Sequence, residues 1–191
     1  GGKLYCHGDL TLVGGSYVTS ALTMTNENDY VYVGGNFNAS SGYGFSMTKG
    51  TLEIKGDFTQ KTTHAVDAFN PTGEHTIILS GEKKQTVKFD STSCMINILE
   101  LQNTSNDGVY FDAPMIPARV LIQNGVKIHT SNKGITGWTL SDDTVIEDDV
   151  YLSAGTMDLN GHTLKISGNL YVGNGDIVIN GGSLEVDGDL R

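Results

Sequence analysis

Tyr5, Tyr30 and Tyr32 are the residues whose types and spacing most invite a ligand. They fall in two similar segments, GGKLYCHGDL at 1–10 and NDYVYVGGNF at 28–37. In both, apolar and other residues alternate, so Leu4, Cys6, Val31 and Val33 point one way and the tyrosines the other. Tyr rings exposed on a flat sheet can stack on sugar rings or anchor a protein partner. The plainer explanation is an aromatic ladder that only stiffens the sheet, or a face covered by a neighbouring element of a longer protein. The corresponding outward positions further along are Thr51, Glu53, Thr163, Lys165, Ser183 and Glu185. A purely structural ladder would not need that asymmetry.

Catalysis and metal binding have weaker candidates. Asp9, Asn36, Asp57, Asn169 and Asp189 recur at one place in the pattern. As a column they could present oxygen ligands to Ca²⁺. As turn residues they tolerate corner conformations and bond their own backbone, and two of the five are neutral amides. The acidic run Asp142, Asp143, Glu147, Asp148 and Asp149 invites the same question, but the Ca²⁺-binding nonapeptide GGxGxDxUx is missing. The stretch from His64 to His75, with Asp67 and Glu74, has acid–base residue types without a nucleophile or partner at a telling spacing. Pro71-Thr72-Gly73 within it reads as a simple turn. His7, His129 and His162 form no ligand set. Trp138 is a sugar platform or, more simply, a partly buried aromatic. Cys6 and Cys94 form no CxxC, and Cys6 stands where related segments carry Val or Ile. Asn38-Ala39-Ser40 and Asn103-Thr104-Ser105 match glycosylation sequons. No catalytic residue, metal site or cofactor is expected from these patterns.

The elements that position these residues come from a repeat. The frame is apolar, x, apolar, x, Gly, Asp or Asn, then Leu or Phe. It recurs in KGTLEIKGDF at 49–58, GHTLKISGNL at 161–170 and GGSLEVDGDL at 181–190, with its glycine at Gly8, Gly35, Gly56, Gly168 and Gly188. Gly8 and Gly188 lie 180 residues apart, which is nine spacings of twenty. Within a repeat the period is two, and pairs such as Gly168-Asn169 and Gly181-Gly182 separate short apolar runs. Gly173-Asn174-Gly175 is read as a further corner. Three short strands with corners between them make one coil, and only stacked coils can bury the inner Leu, Ile and Val.

The expected fold is therefore all-β, a single-stranded parallel β-helix of about nine coils of 20–27 residues. Left-handed hexapeptide helices keep a rigid coil, whereas the spacing here is uneven, so the right-handed form is expected. Residues 1–191 form one β-solenoid domain, with regular coils at 1–60 and 155–191 and an irregular middle at 61–154. The stretch 82–107, free of Gly and Pro, is rich in Thr, Ser, Asn and β-branched residues and is expected to be strand. Leu52, Ile54, Leu164, Ile166, Leu184 and Val186 are expected to share one core.

Composition agrees. Gly is 25 of 191 residues, nearly twice the usual share of about 7%, and Pro only 3. There is no G-X-Y period and no apolar run near the ~20 residues of a membrane helix. No signal-peptide pattern stands at the start. The net charge of −10 disfavours nucleic acid and anionic lipid surfaces.

The segments GTLEIKGDFTQ (50–60) and LSGEKKQTV (79–87), followed by INILE (96–100), resemble repeat regions of large secreted or cell-surface proteins of Gram-positive anaerobic bacteria. The frame is also similar to adhesin-type β-solenoids of the filamentous-haemagglutinin kind. The resemblance implies an extracellular or cell-surface, non-enzymatic solenoid module that carries over no catalytic residues. The expected role is a rigid stalk or adhesive surface of a larger protein. Its partners would be a glycan or protein ligand on an outer face, and flanking coils of the parent chain. No nucleic acid and no membrane insertion is expected. The chain starts and stops in the same frame without a capping helix, which suggests a fragment of a longer chain. Two alternatives stay open: a carbohydrate-binding module built on Tyr5, Tyr30 and Tyr32, and a β-helix enzyme of the polysaccharide lyase or hydrolase kind. The enzyme needs a cleft with two close carboxylates beside Lys or Arg.

Overall fold

The computed structural model describes residues 1–13, 22–40, 45–61, 69–113, 116–131 and 134–191. Among them all regular structure is strand, and the paired strands run parallel. The longest sheet has nine rungs: β2 (Leu10–Val13), β5 (Phe37–Ser40), β8 (Phe58–Gln60), β10 (Gln85–Phe89), β12 (Val109–Asp112), β14 (Ile128–Thr130), β16 (Thr144–Ile146), β18 (Thr163–Ile166) and β20 (Ser183–Val186). A six-rung sheet holds β1 (Lys3–Cys6), β4 (Tyr30–Val33), β7 (Thr51–Ile54), β9 (Thr76–Leu79), β11 (Ile96–Leu101) and β13 (Ala118–Ile122). Two smaller sheets complete the coils: β3 (Leu22–Met24) with β6 (Phe45–Met47), and β15 (Ile135–Thr136) with β17 (Val150–Asp158) and β19 (Leu170–Val178). The fold is a parallel β-solenoid. The stretch 82–107 contributes β10 and β11, as its composition predicts.

The coil count is slightly lower than nine. The long sheet has nine rungs, but the last is β20 with little more, and about seven turns are complete. Coil length also varies more than expected. Neighbouring residues in the long sheet lie 27 apart at Leu10 and Phe37, and 29 apart at Phe58 and Val87. They lie only 18 apart at Ile128 and Ile146, and 20 apart at Ile146, Ile166 and Val186. The shortening coincides with the end of the six-rung sheet at β13.

The repeat frame changes walls along the stack. In KLYC, YVYV and TLEI it forms rungs of the six-rung sheet. In TLKI and SLEV it forms rungs of the nine-rung sheet. The first and last frames thus stand at different phases of the coil. Lys165 and Glu185 are not in the column of Tyr5, Tyr32 and Glu53. The physical reason is that apolar–x–apolar followed by Gly and Asp describes a strand entering a corner, and any corner satisfies it.

The corner expected at Gly173-Asn174-Gly175 is a bend that keeps its ladder pairing. β19 runs unbroken from Leu170 to Val178 and pairs with β17, with Asn174 beside Ala154 and Gly175 beside Gly155. Parallel pairing supplies the backbone partners that a turn would otherwise provide, and Gly155, at a φ of 75°, absorbs the change of direction in β17.

The core follows the inward columns. Leu52, Ile54, Leu164 and Ile166 are fully buried, and Leu184 and Val186 pack on them half-buried at the last rung. Phe37, Phe58, Phe69 and Phe89 form a buried edge-to-face cluster, with Phe58 at 5.2, 5.2 and 5.1 Å from Phe37, Phe69 and Phe89. Ile166 lies between Ile146 and Val186, with neighbours on both sides. Ile166→Ala should cost roughly 2–5 kcal/mol, whereas Lys165→Ala on the outward side should stay within about 0.5 kcal/mol. Equal shifts of the urea midpoint at 165 and 166 would contradict this register.

Candidate functional site

The outer face of the six-rung sheet carries two side-chain columns. One is Lys3, Tyr30, Thr51, Thr76, Ile98 and Val120; the other is Tyr5, Tyr32, Glu53, Ile78, Glu100 and Ile122. The three tyrosines do come together. The Tyr5 ring lies 5.9 Å from Tyr30 and 6.4 Å from Tyr32, and His7 meets Tyr32 edge-on at 6.3 Å. Tyr5 is 55% exposed, and Tyr30 and Tyr32 are half-buried. The aliphatic continuation through Ile78, Ile98, Val120 and Ile122 was missed by the sequence reading. Its signal was the unbroken apolar runs Ile77-Ile78-Leu79 and Val120-Leu121-Ile122, which a one-sided strand would not show.

Tyr30 differs from the other two because its hydroxyl is committed. It donates to Glu53 Oε2 at 2.5 Å, while Ser80 Oγ donates to Oε1 at 2.6 Å. Lys55 Nζ lies 3.6 Å from Glu53 Oε1 and donates to the Ser80 carbonyl at 2.9 Å. Burial works against the Glu53 charge, but hydrogen bonds from Ser80 and Tyr30 and the Lys55 ammonium outweigh it, so its pKa falls below the ordinary value. Burial first, then the bond to Glu53, pushes the Tyr30 phenol well above its usual range. Tyr30 is thus a brace, which leaves the exposed Tyr5 and the half-buried Tyr32 as the contact candidates.

Beside Tyr32 lies a groove of about 500 Å³, lined by Tyr32, Gly34, Asn36, Lys55, Gly56, Asp57, Glu82, Lys83 and Lys84. It sits at the corner between the six-rung and nine-rung sheets. Residues 34–36 make that corner in one coil and 55–57 in the next, whereas the following coil takes five residues, 80–84. The two extra residues overhang the flat glycine corners and form the groove wall. Gly34 and Gly56 are required by stacking: a Cβ would stand 2.6 Å from the His7 carbonyl oxygen and 2.5 Å from Asn36 Oδ1.

The Asp/Asn column has a structural use. Asp9 Oδ1 accepts the Asn36 N–H at 2.7 Å, Asn36 Oδ1 accepts the Asp57 N–H at 2.8 Å, and Asp57 Oδ1 accepts the Thr86 N–H at 2.7 Å. On a different corner, Asp149 Oδ1 accepts the Asn169 N–H at 2.7 Å and Asn169 Oδ1 accepts the Asp189 N–H at 2.8 Å. The single column of the sequence is two ladders, each tying one coil to the next. The Asn169 backbone N–H, then its side-chain amide, hold the Asp149 pKa below its ordinary value.

The acidic run divides: Asp142, Asp143 and Glu147 line one groove with Lys127, and Asp148 and Asp149 bond neighbouring coils. Asp143 Oδ1 accepts the Thr163 N–H at 2.7 Å, and Asp148 faces His129 Nδ1 at 3.1 Å and accepts the Thr130 N–H. Among the described residues no group of three or more His, Cys, Asp or Glu is placed to hold a metal ion. His64 and Asp67 lie outside the described residues. Glu74 is exposed, 3.9 Å from Lys49, and His75, at the end of the turn that enters β9, is fully buried in the core. Trp138 is buried. Cys6 is half-buried on Val33. Asn103 is buried, its Nδ2 donating to the Lys83 carbonyl and to Gln85 Oε1, so the second sequon is closed to modification in the folded chain.

The chain matches no protein-family model, and neither a curated protein nor a solved structure matches it.

Proposed function

We propose that the chain is a non-catalytic, extracellular β-solenoid module that acts as a rigid stalk and presents an adhesive surface for a larger cell-surface protein. The observation that carries this reading is the outer face of the six-rung sheet, where Tyr32 lines a groove and the exposed Tyr5 ring stands 6.4 Å from the Tyr32 ring. Stacked rings next to polar groups suit sugars, whose faces are apolar and whose edges are not. Carbohydrate binding is therefore the favoured form of the interaction. The carboxylates of the two corner ladders support a non-catalytic role, since Asp9, Asp57 and Asp149 each spend an oxygen on the next coil.

A second reading, a β-helix enzyme of the lyase or hydrolase kind, has one observation in its favour. Asp57 and Glu82 share the groove with three lysines.

A glycan array comparing the wild type with the Tyr5→Ala/Tyr30→Ala/Tyr32→Ala variant tests the reading. The variant should lose retention on the glycans that hold the wild type while keeping its strand-type circular dichroism. Undiminished retention by a folded variant would remove the tyrosine face from consideration.

A further inference from the structure

We propose that the groove beside Tyr32 binds a saccharide bearing a carboxylate, a uronic-acid type of unit within a sparsely charged glycan. This deepens the carbohydrate reading above and rests on it.

The first argument is charge. The chain carries −10 overall, yet Lys55, Lys83 and Lys84, three of its 12 basic residues, line this one groove against two carboxylates. Their roles differ. Lys55 is pinned by the Ser80 carbonyl at 2.9 Å and by Glu53. Among the described residues the Lys83 ammonium has no side-chain partner, and Lys84 rests over the Tyr110 ring at 4.6 Å. Lys83 and Lys84 can swing onto an anion while Lys55 keeps the rim in place.

The second argument is the complement of neutral groups. Asn36 gives its Oδ1 to the Asp57 N–H, which leaves its Nδ2 to donate. Asp57 gives one oxygen to the Thr86 N–H, which leaves the other, with Glu82, to accept hydroxyl hydrogens. Donors and acceptors side by side fit a polyol. A phosphate or other small anion would gain nothing from the acceptors and would be repelled by them. The Tyr32 ring forms one wall, and Tyr5 extends the platform away from the groove, so a chain of sugars could run from one to the other.

The third argument selects charge density. The field of the acidic surface is screened beyond about 8 Å at physiological ionic strength, so a carboxylate seated in the groove feels mainly the lysines. A densely charged polymer extends over the surrounding acidic surface and is repelled there. One carboxylate among neutral sugars avoids that cost.

The test is isothermal titration with short hyaluronan fragments and with xylo-oligosaccharides carrying a single glucuronate, each as free acid and as methyl ester, with oligogalacturonate as a densely charged comparison that should bind at least tenfold more weakly than they do. The ester keeps the rings and removes the charge. At least one acid should bind, and its ester at least tenfold more weakly. Lys83→Ala/Lys84→Ala should weaken the acid at least tenfold and bring it level with the ester. Tyr32→Ala should weaken both forms, and Lys165→Ala, remote from the groove, should change neither. Acid and ester binding alike, or a folded double-lysine variant binding like wild type, would overturn the proposal and leave the tyrosine reading standing. The same holds if none of the acids binds while neutral glycans are retained through the tyrosines. Retention of no glycan at all would overturn both.

Discussion

Phe58→Ala should be the most damaging single truncation in the chain, lowering stability by about 3–5 kcal/mol. The ring is fully buried at the centre of the edge-to-face cluster, in contact range of Phe37, Phe69 and Phe89. Its loss removes three aromatic contacts and opens a cavity between rungs β5 and β10, which flank β8 on either side. The rungs are tied by backbone pairing, so the coil cannot collapse to fill that space. Chemical unfolding by urea, with Phe89→Ala as a neighbouring comparison, measures it. A loss below about 1 kcal/mol would mean that the cluster repacks freely.

The second large effect is acid lability from one residue. His75 is fully inside the core, and among the described residues neither ring nitrogen has a hydrogen-bond partner. Burial lowers its pKa from 6.5 to about 4. The unfolded chain therefore takes up a proton at a pH where the folded chain does not. Its contribution is unchanged above pH 6.5, and stability is lost as the pH falls from there toward 4, by about 3 kcal/mol over the whole window. Below about 4 the folded chain also protonates, and this loss stops growing. The lowered carboxyl groups act on the acid side of their ordinary values, 3.8 for Asp149 and 4.5 for Glu53, beneath most of this window. His75→Leu should flatten the stability profile between pH 6.5 and 4. It should also stabilise the fold at neutral pH, because an unpaired buried imidazole is replaced by an apolar side chain. Parallel profiles for the two proteins would contradict this assignment.

His75 also marks how far the sequence could be read. Placed at the end of a loop beginning at His64, it looked like an acid–base residue. The alternation His75, Ile77, Leu79 in fact belongs to one inward column, and extending the period-two reading by one residue would have found it. The solenoid itself was legible because apolar alternation and Gly-Asp corners are local signals that repeat. Which wall a frame occupies was not legible, since GTLEIKGDF and GGSLEVDGDL have the same corner chemistry on different sheets. The tyrosines could be placed together because their two segments are adjacent coils with the same frame. The groove could not be foreseen. It arises from a difference of two residues between corners that are distant in sequence and neighbours only after coiling. The ladder bonds of Asp9, Asn36 and Asp57 were hidden in the same way, because their partners lie one coil on.

Binding without chemistry is the centre of the proposed function, and product release measures it most directly. A glycan that retains the chain on the array is incubated with purified wild-type protein, and new reducing ends and unsaturated uronate absorbance are followed over time. The account predicts retention with no product above the protein-free control. Product that accumulates in proportion to protein, and that disappears in Asp57→Asn or Glu82→Gln, would contradict it and make the groove a catalytic cleft.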